Sequence, residues 1–262
     1  MISPDNRRYA YGKAQLIEVI CQLRFPTILS IDTREPADFQ ETVREAFPRY
    51  QCQVETIPGV NGAPNRTINN HTFLSEDGGY KLSLTKDFIA LSTMRYTNWE
   101  DFAARLDEPL GQFIKIYRPN CFDRVGLRFV NAFSREQLGL AGRRWNDLLQ
   151  PPYLGVLDED EIDEESVVKC SVDVERKLDV LAALKLHAGP GFVQRNIRNG
   201  NRVQQVQEKE VRFIFDQDVY STAKVKVPAV AETLNALHAH ADSVFSDAIT
   251  TVLHDAMEPE YL

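Results

Sequence analysis

The chain predicts an α+β fold in which antiparallel sheets carry packed helices. Two observations predict it. Short stretches alternate apolar and polar residues with period two and are separated by Gly- and Pro-rich turns. Longer stretches repeat apolar residues at helical spacing and start beside Pro, Thr or Asn. With 262 residues, the chain is expected to form two abutting modules, 1–135 and 136–262.

The elements follow in order. Ile17–Phe25 alternates as a strand, with Ile17, Val19, Cys21, Leu23 and Phe25 on one face and Glu18, Gln22 and Arg24 on the other. Pro36 opens a helix striped by Phe39, Val43 and Phe47. Residues 55–70 carry turn chemistry (Pro58, Gly59, Gly62, Pro64) and read as a loop. A meander follows: Thr72–Glu76 and Tyr80–Thr85 flank the turn Asp77-Gly78-Gly79, and Phe88–Met94 comes next. Trp99–Tyr117 repeats Phe102, Leu106, Leu110, Phe113 and Tyr117 at helical spacing, with Thr97 or Asn98 as its cap. Phe122–Phe133 is the clearest strand. Strand, helix, meander, helix, strand is the order of an elaborated ferredoxin-like unit.

In the second half, Trp145–Leu149 reads as a short helix or turn. Val167–Arg176 and Val180–His187 form a strand pair, and Gly189-Pro190-Gly191 reads as a turn. Residues 194–210 read as a polar loop or long hairpin tip, and Val211–Val219 as a strand. A long C-terminal helix is expected over Val230–Met257, striped by Leu234, Leu237, Ala241, Val244, Phe245, Ile249, Val252 and Met257. Such a stripe packs on its own sheet or offers a face to a second copy or a partner helix.

Composition excludes several classes. Hydrophobic residues at 43% supply a core, which excludes global disorder. No apolar run is long enough for a membrane span, and the N-terminus has no secretory h-region, so a cytoplasmic location with reduced thiols is expected. A net charge of −8 opposes nucleic-acid binding. That includes binding by the loop arginines Arg195, Arg198 and Arg202, which lack aromatic residues for stacking on bases.

The charge is segregated. Residues 158–165 read DEDEIDEE, and without these seven acids the chain has 31 acids against 30 bases. The segment is a solvated loop, or a docking surface for a basic partner through Asp158, Glu159, Asp160 and Glu161.

Strand polarity gives a second candidate. In Phe122–Phe133, Val125, Leu127, Phe129 and Phe133 face one way, and Arg124, Gly126 and Arg128 the other. Arg24, Asp216 and Asp218 lie on similar polar faces. The face is wetted, with charges paired across strands, or a concave surface for an anionic ligand, or a face buried by another chain or by the second module. In the second case Arg24, Arg124 and Arg128 would fork phosphate, with Asp216 and Asp218 beside them. The spacing of Asp216 and Asp218 also suits a shared divalent ion, but no metal or cofactor is expected, because neither a zinc pattern nor a phosphate loop is present. His71 reads as a loop residue, and His238 with Asp242 as solvated helix surface.

Ile17–Phe25 followed by Pro26, LSLTKDFIALST with Tyr96 and Trp99-Glu100-x-Phe102, and RVGLRFVN at Arg124–Asn131 together resemble a bacterial family. It is a sporadically distributed family of uncharacterised proteins of about 250 residues, met near mobile or defence-related genes. The resemblance spans nearly the whole chain and weakens after residue 135. It implies a cytosolic accessory protein, of a kind suited to a defence or toxin–antitoxin system, and supplies no catalytic residues. Two functions are therefore expected: a non-enzymatic component that binds another protein, or an enzyme or sensor that binds a nucleotide or other phosphorylated small molecule on the charged sheet face.

Overall fold

Period-two alternation is realised in nine strands of one antiparallel sheet. The computed structural model describes residues 9–57, 66–199 and 202–261. After β1 (Tyr9–Tyr11) come β2 (Leu16–Arg24), the short helices α1 (Ser30–Thr33) and α2 (Ala37–Val43), and β3 (Arg49–Ile57). The meander is β4 (Arg66–Leu74), β5 (Tyr80–Leu84) and β6 (Phe88–Thr93), and α3 (Trp99–Tyr117), β7 (Cys121–Phe122) and β8 (Arg124–Phe133) close the first half. Single 3-10 turns then lead to β9 (Val172–Lys177), β10 (Ala182–Gly191), the hairpin β11 (Gln194–Asn199) and β12 (Arg202–Gln207), and β13 (Arg212–Ser221). The chain ends with β14 (Val225–Lys226), α4 (Val230–Ala248), α5 (Thr251–Ala256) and β15 (Pro259–Tyr261).

The strand order in the main sheet is β3-β4-β5-β6-β2-β8-β13-β10-β9. Strands from both halves of the chain thus share one sheet, joined where β8 pairs with β13 from Phe133↔Phe213 to Gly126↔Tyr220. One sheet face is apolar. Val19, Cys21 and Leu23, then Val125, Leu127, Phe129 and Phe133, then Phe213, Phe215 and Val219 are all buried on it. Burial of each such Leu or Phe side chain contributes about 1.5–3 kcal/mol. In α3, Phe102, Leu106, Leu110 and Phe113 are buried, and α4 packs across β8 and β13. Asn98 starts α3 by accepting from the Asp101 amide at 2.8 Å, which satisfies one of the open N–H groups of the first turn. No helix among the described residues is long and apolar enough to cross a membrane.

Four expectations are corrected. The helix expected over Val230–Met257 is broken after Ala248, because Ile249 turns extended and bridges Leu149. There the Thr250 hydroxyl donates to the carbonyls of Asp147 (2.7 Å) and Leu148 (3.1 Å), and it accepts from the Leu253 amide to start α5. The loop expected over 55–70 is entered and left by β3 and β4, which pair as far as Ile57↔Arg66; Pro58, Gly59, Gly62 and Pro64 lie outside the described residues. Gly189-Pro190-Gly191 is no turn but the end of β10, paired in register with Arg212–Ile214. Gly189 is required because the backbone of Cys170 crosses so closely that an added Cβ would meet its carbonyl oxygen. His71 sits in β4 rather than in a loop, buried, with Nε2 against the Ile31 carbonyl at 3.1 Å and Nδ1 against the Tyr50 hydroxyl at 3.0 Å.

Candidate functional site

The charged sheet face carries four of its five expected ligand-binding residues as two pairs. The Arg124 Nη2 donates to both Asp218 carboxylate oxygens at 2.8 and 2.7 Å, and the Arg128 Nε donates to Asp216 Oδ1 at 2.7 Å. Gly126 leaves room for the Arg124 side chain, whose guanidinium lies 4.5 Å over the Tyr220 ring. Arg24 stands opposite Arg124 in register, and its Nε donates to Gln22 at 2.9 Å. Next to these pairs, Tyr220 donates to Glu175 at 2.6 Å and His187 lies 2.8 Å from Asp173. A shallow depression of about 410 Å³ there is lined by Asp173, Glu175, Asp216 and Asp218 against Arg128, Lys185 and His187. Acids therefore outnumber permanent cations around it, and an incoming phosphate would compete with carboxylates already bonded to the arginines. Among the described residues no group of three or more His, Cys, Asp or Glu is arranged to hold a metal ion.

The acidic run is part of the fold through its backbone. Arg144 donates to the carbonyls of Glu159 (3.0 Å) and Ile162 (2.8 Å), and Glu164 bonds Arg135 at 2.9 Å. Asp158, Glu159, Asp160 and Glu161 remain exposed. Of these, Asp160 lies 3.4 Å from Arg144. The side chains of Arg195, Arg198 and Arg202 lie outside the described residues.

A larger site lies on the opposite, helix-covered side of the sheet. It is a cleft of about 560 Å³ between α4, the start of α3, β1, and the strands β8 and β13. This volume is that of a small-molecule site. From α4 come His238, Ala241, Asp242 and Phe245, at positions i, i+3, i+4 and i+7 of one helix face. Ala241 lies between His238 and Phe245 on this face and adds only a methyl group to the wall. The floor comes from Phe129 and Asn131 of β8 and Gln217 of β13, with Gln217 opposite Phe129 in register. Tyr9 and Tyr11 of β1 form one wall, held because β1 pairs with β15 and Gly12 and Lys13 bond the carbonyls of Glu258 and Met257. Both described ends of the chain meet beside the cleft.

The polarity of this floor is unusual for an apolar sheet face. Along β13, Phe213, Phe215 and Val219 are buried on it, yet Gln217 stands between them at 3% exposure. Along β8, Asn131 interrupts Phe129 and Phe133 in the same way. Gln217 Oε1 is buried and has no hydrogen-bond partner. Leaving a buried acceptor unsatisfied costs about 1–3 kcal/mol. Gln15, the third amide, is by contrast fully used: its Oε1 accepts from the Ser134 amide at 2.9 Å and its Nε2 donates to the Lys13 carbonyl at 3.1 Å.

His238 is a correction to the sequence expectation. It is buried, stacked on Trp99 at 4.5 Å between ring centres and 18° between planes, with Nδ1 3.4 Å from Asp242. Trp99 is pinned by its Nε1 donating to Asn235 at 3.0 Å. Tyr11 hydrogen bonds His254 Nδ1 at 3.1 Å, and its phenol is pushed up to about 12 by burial, with the charges of Tyr9 and Asp242 adding. The cleft escaped the sequence reading, although a signal was present. Asn131 and Gln217 fall on the apolar phase of two alternating strands, where polar residues need a reason.

No protein-family model matches the chain, and no curated protein matches it.

Proposed function

We propose that this protein binds a small organic molecule in the cleft between α4 and strands β8 and β13. The observation that carries this reading is the cleft of about 560 Å³ itself, floored by the amide side chains of Asn131 and Gln217 on an otherwise apolar sheet face. A fold gains nothing by keeping amide side chains on an apolar face, whereas a ligand with polar groups gives them a use. The test is a Gln217→Leu variant beside the wild-type chain. Purified wild-type protein is denatured and the released compounds are read by mass spectrometry. A compound released in stoichiometric amount by the wild type is expected to be missing from the variant. The ligand-free variant is expected to melt about 2 °C higher, the equivalent of roughly 1 kcal/mol. A variant that melts lower, or that carries the same compound, would overturn the reading.

A second reading is favoured by the acidic run. Its backbone is held by Arg144 while Asp158, Glu159, Asp160 and Glu161 stay exposed, which suits docking of a basic protein partner. The two roles are compatible in an accessory component, the role that the family resemblance suggests. For the N-terminal half we keep the ferredoxin-like reading. The order β5-β6-β2-β8, all antiparallel, with α2 and α3 in the crossovers, supports it.

A further inference from the structure

Resting on the small-molecule reading of the cleft, we infer that its ligand is an organic cation: a protonated amine or amidine with N–H donors, carried on an apolar body.

Charge is the first argument. Among the described residues, the lining includes Asp242 and Asp247 and neither Lys nor Arg. Histidine aside, the charged side chains of the lining are thus carboxylates. Asp247 is exposed at the mouth, and the Asp242 side chain is 43% exposed, so an arriving cation meets carboxylates first. Phosphorylated or carboxylated molecules meet the same field with the wrong sign.

Aromatic faces are the second argument. Tyr11 and Phe245 meet edge to face at 5.9 Å, and Tyr96 and Phe129 do so at 5.9 Å, so two aromatic pairs border one cavity. Their ring faces attract a cation and also bury an apolar body. The third argument is hydrogen bonding. The Asp242 and Asp247 carboxylates accept and do not donate, so a ligand that bonds them brings an N–H or O–H. An ammonium supplies three such donors, an amidine four. A quaternary ammonium supplies none.

The test uses the ligand-free full chain and a panel of primary amines and amidines with aromatic, aliphatic and polyamine bodies. Each is paired with its alcohol and its carboxylate counterpart, and binding is read by thermal shift and calorimetry near pH 7.5. At least one amine or amidine is expected to bind, with its alcohol roughly tenfold weaker and its carboxylate silent. Asp242→Asn is expected to weaken the amine roughly tenfold while leaving the alcohol unchanged, and Ala241→Leu to block both by filling the space. An alcohol or carboxylate that binds as tightly as its amine, and loses binding in Gln217→Leu, overturns the cation assignment and leaves the cleft reading standing. A panel in which no amine or amidine binds also overturns the assignment. If, in addition, the wild-type chain releases no compound on denaturation, the cleft reading fails with it.

Discussion

Gln217 and His71 are both buried polar side chains in strands, and they differ in what surrounds them. His71 has a partner at each ring nitrogen, the Ile31 carbonyl and the Tyr50 hydroxyl, so it belongs to the core. Burial holds its imidazole below the ordinary 6.5, against the bond to Ile31 and the charges of Glu35 and Asp32. The unfolded chain therefore binds a proton there more readily than the folded one. His71 favours folding fully above about 6.5, and that contribution is lost as pH falls below it toward the lower folded value. Melting temperatures of the wild type and His71→Gln are expected to converge as pH is lowered from 7.5 to 5. A constant or widening gap would contradict this. Gln217 has no comparable partner for its oxygen, although its side chain lies on the floor of the cleft.

At the scale of elements, local pattern is followed until a distant segment outcompetes it. The apolar stripe of the last helices continues past Ala248, but the Thr250 hydroxyl is claimed by the carbonyls of Asp147 and Leu148. Two β-branched residues in sequence, Ile249 and Thr250, make the break inexpensive. The end of β10 shows the opposite case, in which turn chemistry is overridden by pairing. Gly189 acts there as a strand residue because another backbone passes over it, and Gly191 sits against the Ile214 side chain. Gly189→Ala is expected to cost about 2 kcal/mol in urea unfolding, since the obstacle is the rigid Cys170 carbonyl. Gly191→Ala should cost less, because its nearest neighbour is the Ile214 side chain, which can shift. Equal costs at the two positions would show that the Cys170 crossing is not the constraint.

For the whole molecule, one sheet separates two surfaces of different character. Its open face is a lattice of paired charges, and its covered face holds the core and the cleft. The acidic run stands outside both. Changing Asp158, Glu159, Asp160 and Glu161 to their amides moves the net charge from −8 to −4. Because these side chains are exposed and the segment is held through backbone carbonyls, stability is expected to change by less than about 0.5 kcal/mol. Capture of a basic partner, measured at rising salt, is expected to fall sharply. Unchanged capture would remove the acidic docking reading.

The amino-acid sequence alone determined the antiparallel α+β class, the faces of β2, β8 and β13, and α3 with its Asn98 cap. These features depend on residues a few positions apart, whose side chains must share one face of a strand or helix. It also placed Arg124, Arg128, Asp216 and Asp218 on one surface, though not their pairing. Only the tertiary structure decided the strand order, the break before α5, the burial of His238 and the existence of the cleft. Periodicity states that a face is buried but not by what. Gln217 becomes informative only when β8 is set beside β13 and α4 is laid across both, which puts its side chain with Asn131 on the floor of the cleft.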